Sequence, residues 1–198
     1  MSSRELKSSK QLGFLINTKY CNGCKTCEIA CKMERHLPIG LRWRQVRRFE
    51  NGDATPIPVG ISVSMSCNHC AKPQCVEICP ENAYTKMPMG QVVHDESVCI
   101  GCTKCVAACP YTAPAYDPDR KLTGKCDMCY GRVEAGLQPY CVQCCPNGAL
   151  KVDIMANLVA AYGTRKDISD YDDGKVVPSG ASSANNLLST NPSIVIKV

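Results

Sequence analysis

The spacing of the cysteines constrains this chain more than any other feature. In Val98 to Pro110, VCIGCTKCVAACP, Cys99, Cys102, Cys105 and Cys109 stand as C-x2-C-x2-C-x3-C followed by Pro110, the run that wraps a 4Fe-4S cubane. Three thiolates separated by two residues let one tight loop reach three corners of a cubane. The fourth rides on the helical turn that follows and faces a neighbouring cluster, so one such run implies another. The chain carries three more quartets: Cys21, Cys24, Cys27 and Cys31; Cys67, Cys70, Cys75 and Cys79; and Cys126, Cys129, Cys141 and Cys145.

Seventeen cysteines in 198 residues is a density that calls for either a disulfide scaffold or a metal framework. The odd number, the length and the lack of a hydrophobic signal core before the first quartet disfavour disulfides. Structural zinc also uses four thiolates. Against zinc stand four quartets, of which three end in Cys-Pro and two keep C-x2-C-x2-C-x3-C throughout. Aromatic residues make up 6% of the chain and Phe occurs only as Phe14 and Phe49. Clusters must then fill the space that rings fill elsewhere, and the metal-free chain should fold poorly, because free energy that assembles a metal site is also folding free energy. The formal charge of +5 counts every thiol as neutral. Sixteen thiolates contribute about −16 and four oxidised cubane cores about +8, leaving about −3, so the basic excess largely offsets clusters. Lys25, Lys72, Lys104 and Lys125 lie in or beside the quartets. There a cation favours the reduced, more negative cluster, although each is equally readable as a solvated loop lysine.

Along the chain, residues 1–10 read as a polar arm and Leu12 to Asn17 as a strand leading into the first quartet. Cys27 to Arg35 reads as a helix ended by Pro38 and Gly40. With Lys32 rather than proline after Cys31, that helix can run on. Leu41 to Glu50, LRWRQVRRFE, alternates as an arginine-rich edge strand. It serves either to block aggregation or to touch an acidic partner, and no recognised nucleic-acid fold accompanies it. Asn51 to Gly60 reads as a turn, Ile61 to Ser66 as a strand, and Ala83 to His94 as a hairpin around Pro88 to Gly90. Strand, cysteine loop, helical turn and hairpin thus recur as in an internal duplication. YTAPAYDPDRKLTGK reads as loop, and GRVEAGLQPY as an insertion pushed outward before Cys141. Ala149 to Asp153 reads as a strand, and Ile154 to Tyr162 as a helix with Asp153 as N-cap and Gly163 as stop. Thr164 to about Thr190 is polar and extended in composition, and Ile194 to Val198 is an apolar strand that docks on this chain or on a partner.

Ligand sharing requires the quartets to pair, and spacing allows first with fourth and second with third, or first with second and third with fourth. The four quartets, the GFLIN lead-in, CNGCKTCEIAC, SCNHC, VCIGC with ACPY, KCDMCYGRV with QPYC, and the terminal PSIVIK resemble the iron-sulfur (beta, electron-transfer) subunit of the dimethyl sulfoxide reductase family of molybdopterin oxidoreductases. The resemblance covers nearly the whole chain. It implies the first pairing: Cys21, Cys24, Cys27 and Cys145 on cluster A; Cys31, Cys126, Cys129 and Cys141 on B; Cys67, Cys70, Cys75 and Cys109 on C; Cys79, Cys99, Cys102 and Cys105 on D. In nitrate-reductase-type relatives a tryptophan stands in the position of Cys102 and the cluster loses an iron. The cysteine here implies four complete 4Fe-4S clusters.

The expected fold is α+β, loop-rich, with two ferredoxin-like modules of two clusters each, related by a pseudo-twofold. Residues 11–66 with 111–163 form the first- and fourth-quartet module, 67–110 the second- and third-quartet module, and 164–198 an extended C-terminal tail. The expected role is that of a non-catalytic electron-transfer subunit. It would relay single electrons between a quinol-reactive membrane anchor or soluble carrier and the large molybdopterin catalytic subunit of an anaerobic oxidoreductase. Alternatives are a free-standing polyferredoxin and a non-redox zinc or structural module. No run approaches the roughly 18 apolar residues of a membrane span. Without a twin arginine or apolar leader the chain is expected in the cytoplasm, or exported as passenger of a signal-bearing partner. Cys144 is left over, read as a buried free thiol. His69 could donate to a cluster sulfur or serve as a surface residue in the electron path, while His36 and His94 have no companions at ligand spacing, and all three read as structural rather than catalytic. No nucleophile with its base, phosphate loop or dinucleotide fingerprint can be assembled.

Overall fold

Leu12 to Asn17, the apolar run ahead of the first cysteine, forms the central strand of the largest sheet. A computed structural model describes residues 10–50, 60–164 and 190–197. In chain order its elements are β1 (Leu12–Asn17), α1 (Thr26–Glu34), β2 (Gln45–Glu50), β3 (Gly60–Met65), α2 (Gln74–Glu77), β4 (Tyr84–Lys86), β5 (Val92–His94), α3 (Lys104–Ala108), β6 (Ala115–Asp117), β7 (Leu122–Gly124), α4 (Tyr130–Glu134), α5 (Tyr140–Gln143), β8 (Leu150–Ile154), α6 (Met155–Tyr162) and β9 (Ile194–Lys197). β1 pairs antiparallel with β8 and parallel with β9, so Phe14 lies opposite Val152 on one side and Ile194 on the other.

Both faces of that sheet are covered, which is why LGFLIN and IVIK are continuously apolar rather than alternating. Phe14, Ile16, Leu150, Ile194 and Ile196 pack among Cys27, Cys126 and Met128. Leu15 and Val195 pack under Leu158 of α6. β1 feeds the first quartet and β8 leaves the fourth, so this sheet ties the two ends of the cysteine region together, and α1 packs on α5. The second and third quartets are joined separately by α2 on α3 and by the β4–β5 hairpin. α1 extends over nine residues, against four in α2 and five in α3, as expected of the one quartet without a following proline.

Several expectations are corrected. The stretch between the third and fourth quartets contains the β6–β7 hairpin. The insertion before Cys141 holds α4, stopped where Gly136 takes φ +75. The cap of α6 is Ile154. Asp153 Oδ1 instead accepts from the Ile154 amide at 2.6 Å and Asn157 Nδ2 at 3.1 Å. Cys144 is exposed rather than buried, because it ends the single turn of α5 that aims Cys141 inward. Among the described residues β2 pairs with β3 alone, and Arg42, Arg47 and Arg48 are exposed as an edge strand requires. Arg44 is not: it precedes the strand at a bend and is 1% exposed. β9 docks on this chain. Residues 1–9 of the polar arm, the turn 51–59 and the polar tail 165–189 lie outside the described residues.

The tail also reaches a cysteine loop. Ser193 N donates to Asn68 O at 2.9 Å, Ala71 N to Asn191 O at 2.9 Å, and Ser193 Oγ to His69 O at 3.0 Å. Replacing Ile196, 1% exposed between β1 and the thiols, by Ala should cost about 2–5 kcal/mol. Thermal denaturation of the cluster-loaded protein checks this, and an unchanged midpoint would contradict the docking of β9.

Candidate iron-sulfur site

Each quartet opens with the same backbone turn. The second residue after its first cysteine has positive φ: Gly23 at +78, His69 at +44, Gly101 at +66 and Met128 at +61. That conformation turns an amide onto the cysteine just passed. His69 N reaches Cys67 Sγ at 3.5 Å, Gly101 N reaches Cys99 Sγ at 3.5 Å, and Met128 N reaches Cys126 Sγ at 3.3 Å, while the Gly23 amide serves Cys21. At the far end of two quartets, Ala83 N reaches Cys79 Sγ at 3.3 Å and Ala113 N reaches Cys109 Sγ at 3.5 Å. Hydrogen bonds to sulfur favour the thiolate, the form that binds metal.

Four cavities result, each lined by four thiols. Cys21, Cys24, Cys27 and Cys145 line one of about 320 Å³, and Cys31, Cys126, Cys129 and Cys141 line one of about 300 Å³. Cys67, Cys70, Cys75 and Cys109 line one of about 370 Å³, and Cys79, Cys99, Cys102 and Cys105 line one of about 300 Å³. Three cysteines in each come from one quartet and the fourth from another. Cys144 lines none of them. A further groove, between Arg42, Phe49, Met65 and Tyr111, contains no thiol. None of the seventeen cysteines is in a disulfide, and among the described residues no three metal-ligating groups converge on a point where one ion could sit. In each cavity four thiols line a common space, and four thiolates around one space are the donor set of a 4Fe-4S cubane.

Burial makes these thiols poor anions by themselves. It pushes Cys31, Cys70 and Cys75 up to about 12, and Cys126 well above its ordinary value, with Cys31 adding to the effect. Buried thiolates such as these suit the interior only when a cationic core takes their charge. Orphaned donors agree. Arg44, in the wall of the Cys31 cavity, has its Nε buried without an acceptor, and both ring nitrogens of His94, in the wall of the Cys79 cavity, are buried without partners. Donor set and unpaired buried groups fit 4Fe-4S clusters.

The surroundings divide the four. Cys24 and Cys102 are exposed, whereas every thiol of the Cys31 cavity is buried, as are three of the Cys67 cavity. Tyr84 Oη donates to Cys105 Sγ at 3.2 Å, and Thr123 Oγ1 lies 3.6 Å from both Cys99 and Cys105. His69 Nδ1 accepts from Val92 N at 3.0 Å, so the ring proton sits on Nε2, 3.8 Å from Cys126 Sγ. Burial, then Lys125, Lys86 and Arg44, hold this histidine well below its ordinary value and keep it neutral. His69 is fully buried rather than at the surface, and it spans from the second quartet's loop to the fourth quartet's first cysteine. Of the four lysines beside the quartets, Lys25, Lys72 and Lys104 are exposed. Lys125 is buried, with Nζ donating to Val92 O and Cys126 O. Burial opposes its charge, but Cys67, Cys75 and Cys126 hold it above its ordinary value. Sequence spacing finds all sixteen cavity thiols. It misses Arg44, Ser64, Thr123 and Thr190, whose neighbours are remote in the sequence and which carry no local signal.

A protein that folds around four such thiol-lined cavities is an iron-sulfur protein, and the comparisons give it a family. The 4Fe-4S dicluster domain family matches residues 60–154. The B subunit of anaerobic dimethyl sulfoxide reductase from Haemophilus influenzae is 39% identical over 168 residues, covering 81% of this protein and 82% of the relative. The B subunit of the Escherichia coli K12 enzyme is 43% identical over 160 residues, covering 77% and 78%. The thiosulfate reductase electron transfer subunit of Salmonella typhi is 37% identical over 145 residues, covering 72% and 76%. This protein belongs to the family of iron-sulfur electron-transfer subunits that includes the B subunit of anaerobic dimethyl sulfoxide reductase.

Gly101 tests the cavity of Cys79, Cys99, Cys102 and Cys105. Its φ is +66, and a Cβ there would stand 2.1 Å from Lys121 O in the β6–β7 turn. Gly101→Ala should cost at least about 1 kcal/mol from its backbone alone and loosen one cluster before the others. Iron release on mild oxidation, followed by electron paramagnetic resonance, checks this. Release at the wild-type rate would contradict it.

Proposed function

We propose that this subunit holds four 4Fe-4S clusters, on the quartets that line the four cavities, and relays single electrons to or from the molybdopterin catalytic subunit of an anaerobic oxidoreductase. The observation that carries this reading is the gathering of sixteen thiols into four contiguous groups. Cys27 faces Cys145 in its own cavity and feels Arg44, which also acts on Cys141 and Cys31 in the next. Cys126 meets His69 and feels Cys67. Tyr84, hydrogen-bonded to Cys105, also feels Cys75. These neighbours support the order A, B, C, D, with the exposed Cys24 at one end and the exposed Cys102 at the other. The β1–β8 sheet with the α1–α5 contact, and the α2–α3 contact, support pairing first with fourth and second with third. They equally support two ferredoxin-like modules, with β6–β7 reaching across to the second through Thr123.

When bound, a 4Fe-4S cluster takes up and releases one electron at a potential that its surroundings set within about −700 to +450 mV. The residues of this chain ligate, neutralise and enclose. Burial of the inner thiols keeps water from the middle of the row, and His69 and Lys125 place fixed donors where the Cys31 and Cys67 cavities meet. Substrate chemistry belongs to the large partner. No helix among the described residues is long and apolar enough to cross a membrane, and we assign exchange with a quinol pool to a membrane anchor subunit.

Anaerobic purification from native cells tests the reading. Expected are about sixteen irons and as many sulfides per subunit, by the stoichiometry of four cubanes, and a large molybdenum subunit in equal amount. Zinc in place of iron would support a structural module, and iron without a stoichiometric partner a free polyferredoxin. Either result would overturn the proposal. Cys102→Ser should convert or remove one cluster and slow electron delivery at least ~10-fold, the effect of about 1.4 kcal/mol on a barrier. The partner's own reaction with an artificial reductant should be unaffected.

A further inference from the structure

Arg44 stands where two of the four cysteine groups meet. Its side chain is enclosed and lines the cavity of Cys31, Cys126, Cys129 and Cys141. Nη1 donates to Ser64 O at 3.0 Å and Ser64 Oγ at 3.1 Å, and Nη2 to Ser66 Oγ at 2.8 Å. The guanidinium carbon lies 4.5 Å from the centre of the Phe14 ring. Ser64 lines the other cavity, that of Cys21, Cys24, Cys27 and Cys145, and its Oγ is 3.2 Å from Cys27 Sγ. With its oxygen accepting from Arg44, the Ser64 hydroxyl has its proton free for Cys27.

A guanidinium does not deprotonate in a protein, and an interior charge is retained only against an opposite one. Among the described residues no carboxylate forms an ion pair with Arg44. The charges that act on it are those of Cys141, Cys126, Cys27 and Cys31, drawn from both cavities.

We propose, resting on the reading above, that Arg44 is a fixed counter-charge shared by clusters A and B. It acts directly in the wall of B and through Ser64 on Cys27 of A, and it sets both potentials above those the ligands alone would give. A cation at a fixed place favours whichever oxidation state is the more negative, and a hydrogen bond to a ligand sulfur acts in the same sense. Arg44 is a positioning and tuning residue that exchanges no electron itself. In the wall of C stands Lys125, and in D Tyr84 donates to Cys105, so the proposal leaves those two couples to them.

The test is a potentiometric titration followed by electron paramagnetic resonance on the intact complex, with iron and sulfide assayed in parallel. In Arg44→Gln two of the four couples should move to lower potential while the other two stay. Arg44→Lys, which keeps the charge, should return those two most of the way, and Ser64→Ala should lower one couple only. Unmoved couples in a fully loaded Arg44→Gln complex, an equal shift of all four, or an Arg44→Lys as low as Arg44→Gln would overturn the proposal. If Arg44→Gln fails to load, Ser64→Ala decides: one lowered couple supports the relay and four unmoved couples refute it. Wild-type iron content reports separately on whether four clusters exist at all.

Discussion

The bond between cysteine sulfur and iron does for this fold what packed side chains do for most. Phe14 is the only phenylalanine in the enclosed core, and the larger of the core clusters is built of aliphatic residues alternating with Cys27, Cys67, Cys126 and Cys141. Helices of four and five residues and two-stranded hairpins cannot stand alone in water. Each short helix carries a cavity thiol or follows one directly: Cys75 in α2, Cys105 in α3, Cys129 before α4 and Cys141 in α5. Free energy that assembles a cluster on these thiols is also folding free energy, and among the described residues the sheet of β8, β1 and β9 packs most like an ordinary core.

A second constraint follows from the first. Concentrating anionic sulfur in the interior demands interior cations, and the fold supplies Arg44 and Lys125, each almost fully enclosed and each acting on thiols of two cavities. A third link, neutral His69, is held by the Val92 amide with its remaining proton toward Cys126. These three side chains occupy the junctions between cavities rather than their outer walls. Structural economy and electron transfer thus draw on the same residues: groups that make the buried sulfurs tolerable also set how strongly each centre holds an electron.

The cavity-lining cysteines were legible in the sequence because they come in local runs. Three cysteines of each quartet sit on one loop, and the loop's turn is written in Gly23 and Gly101. The strands around Phe14 and Ile61 were legible from their apolar runs. The neighbours of the clusters were not, because they arrive from elsewhere in the sequence. Arg44 sits among Arg42, Arg47 and Arg48 with no mark to separate it, and only the bend before β2 sends it inward. Thr123 lies on a hairpin masked by Pro114, Pro118 and Gly124, which read as loop, and Thr190 follows a polar run that gives no hint of contact with Cys70. Cys144 erred the other way: cysteine is usually buried, but a single turn of helix has only one inward face, and Cys141 takes it.

Diffraction from crystals of the loaded complex, recorded just above and just below the iron absorption edge, bears most directly on the claim that clusters are the core of this fold. Four compact iron peaks should appear, each within bonding distance of one cavity's four sulfurs, with Cys144 bound to none. Fewer peaks, signal at the zinc edge instead, or sulfurs joined to one another would contradict it.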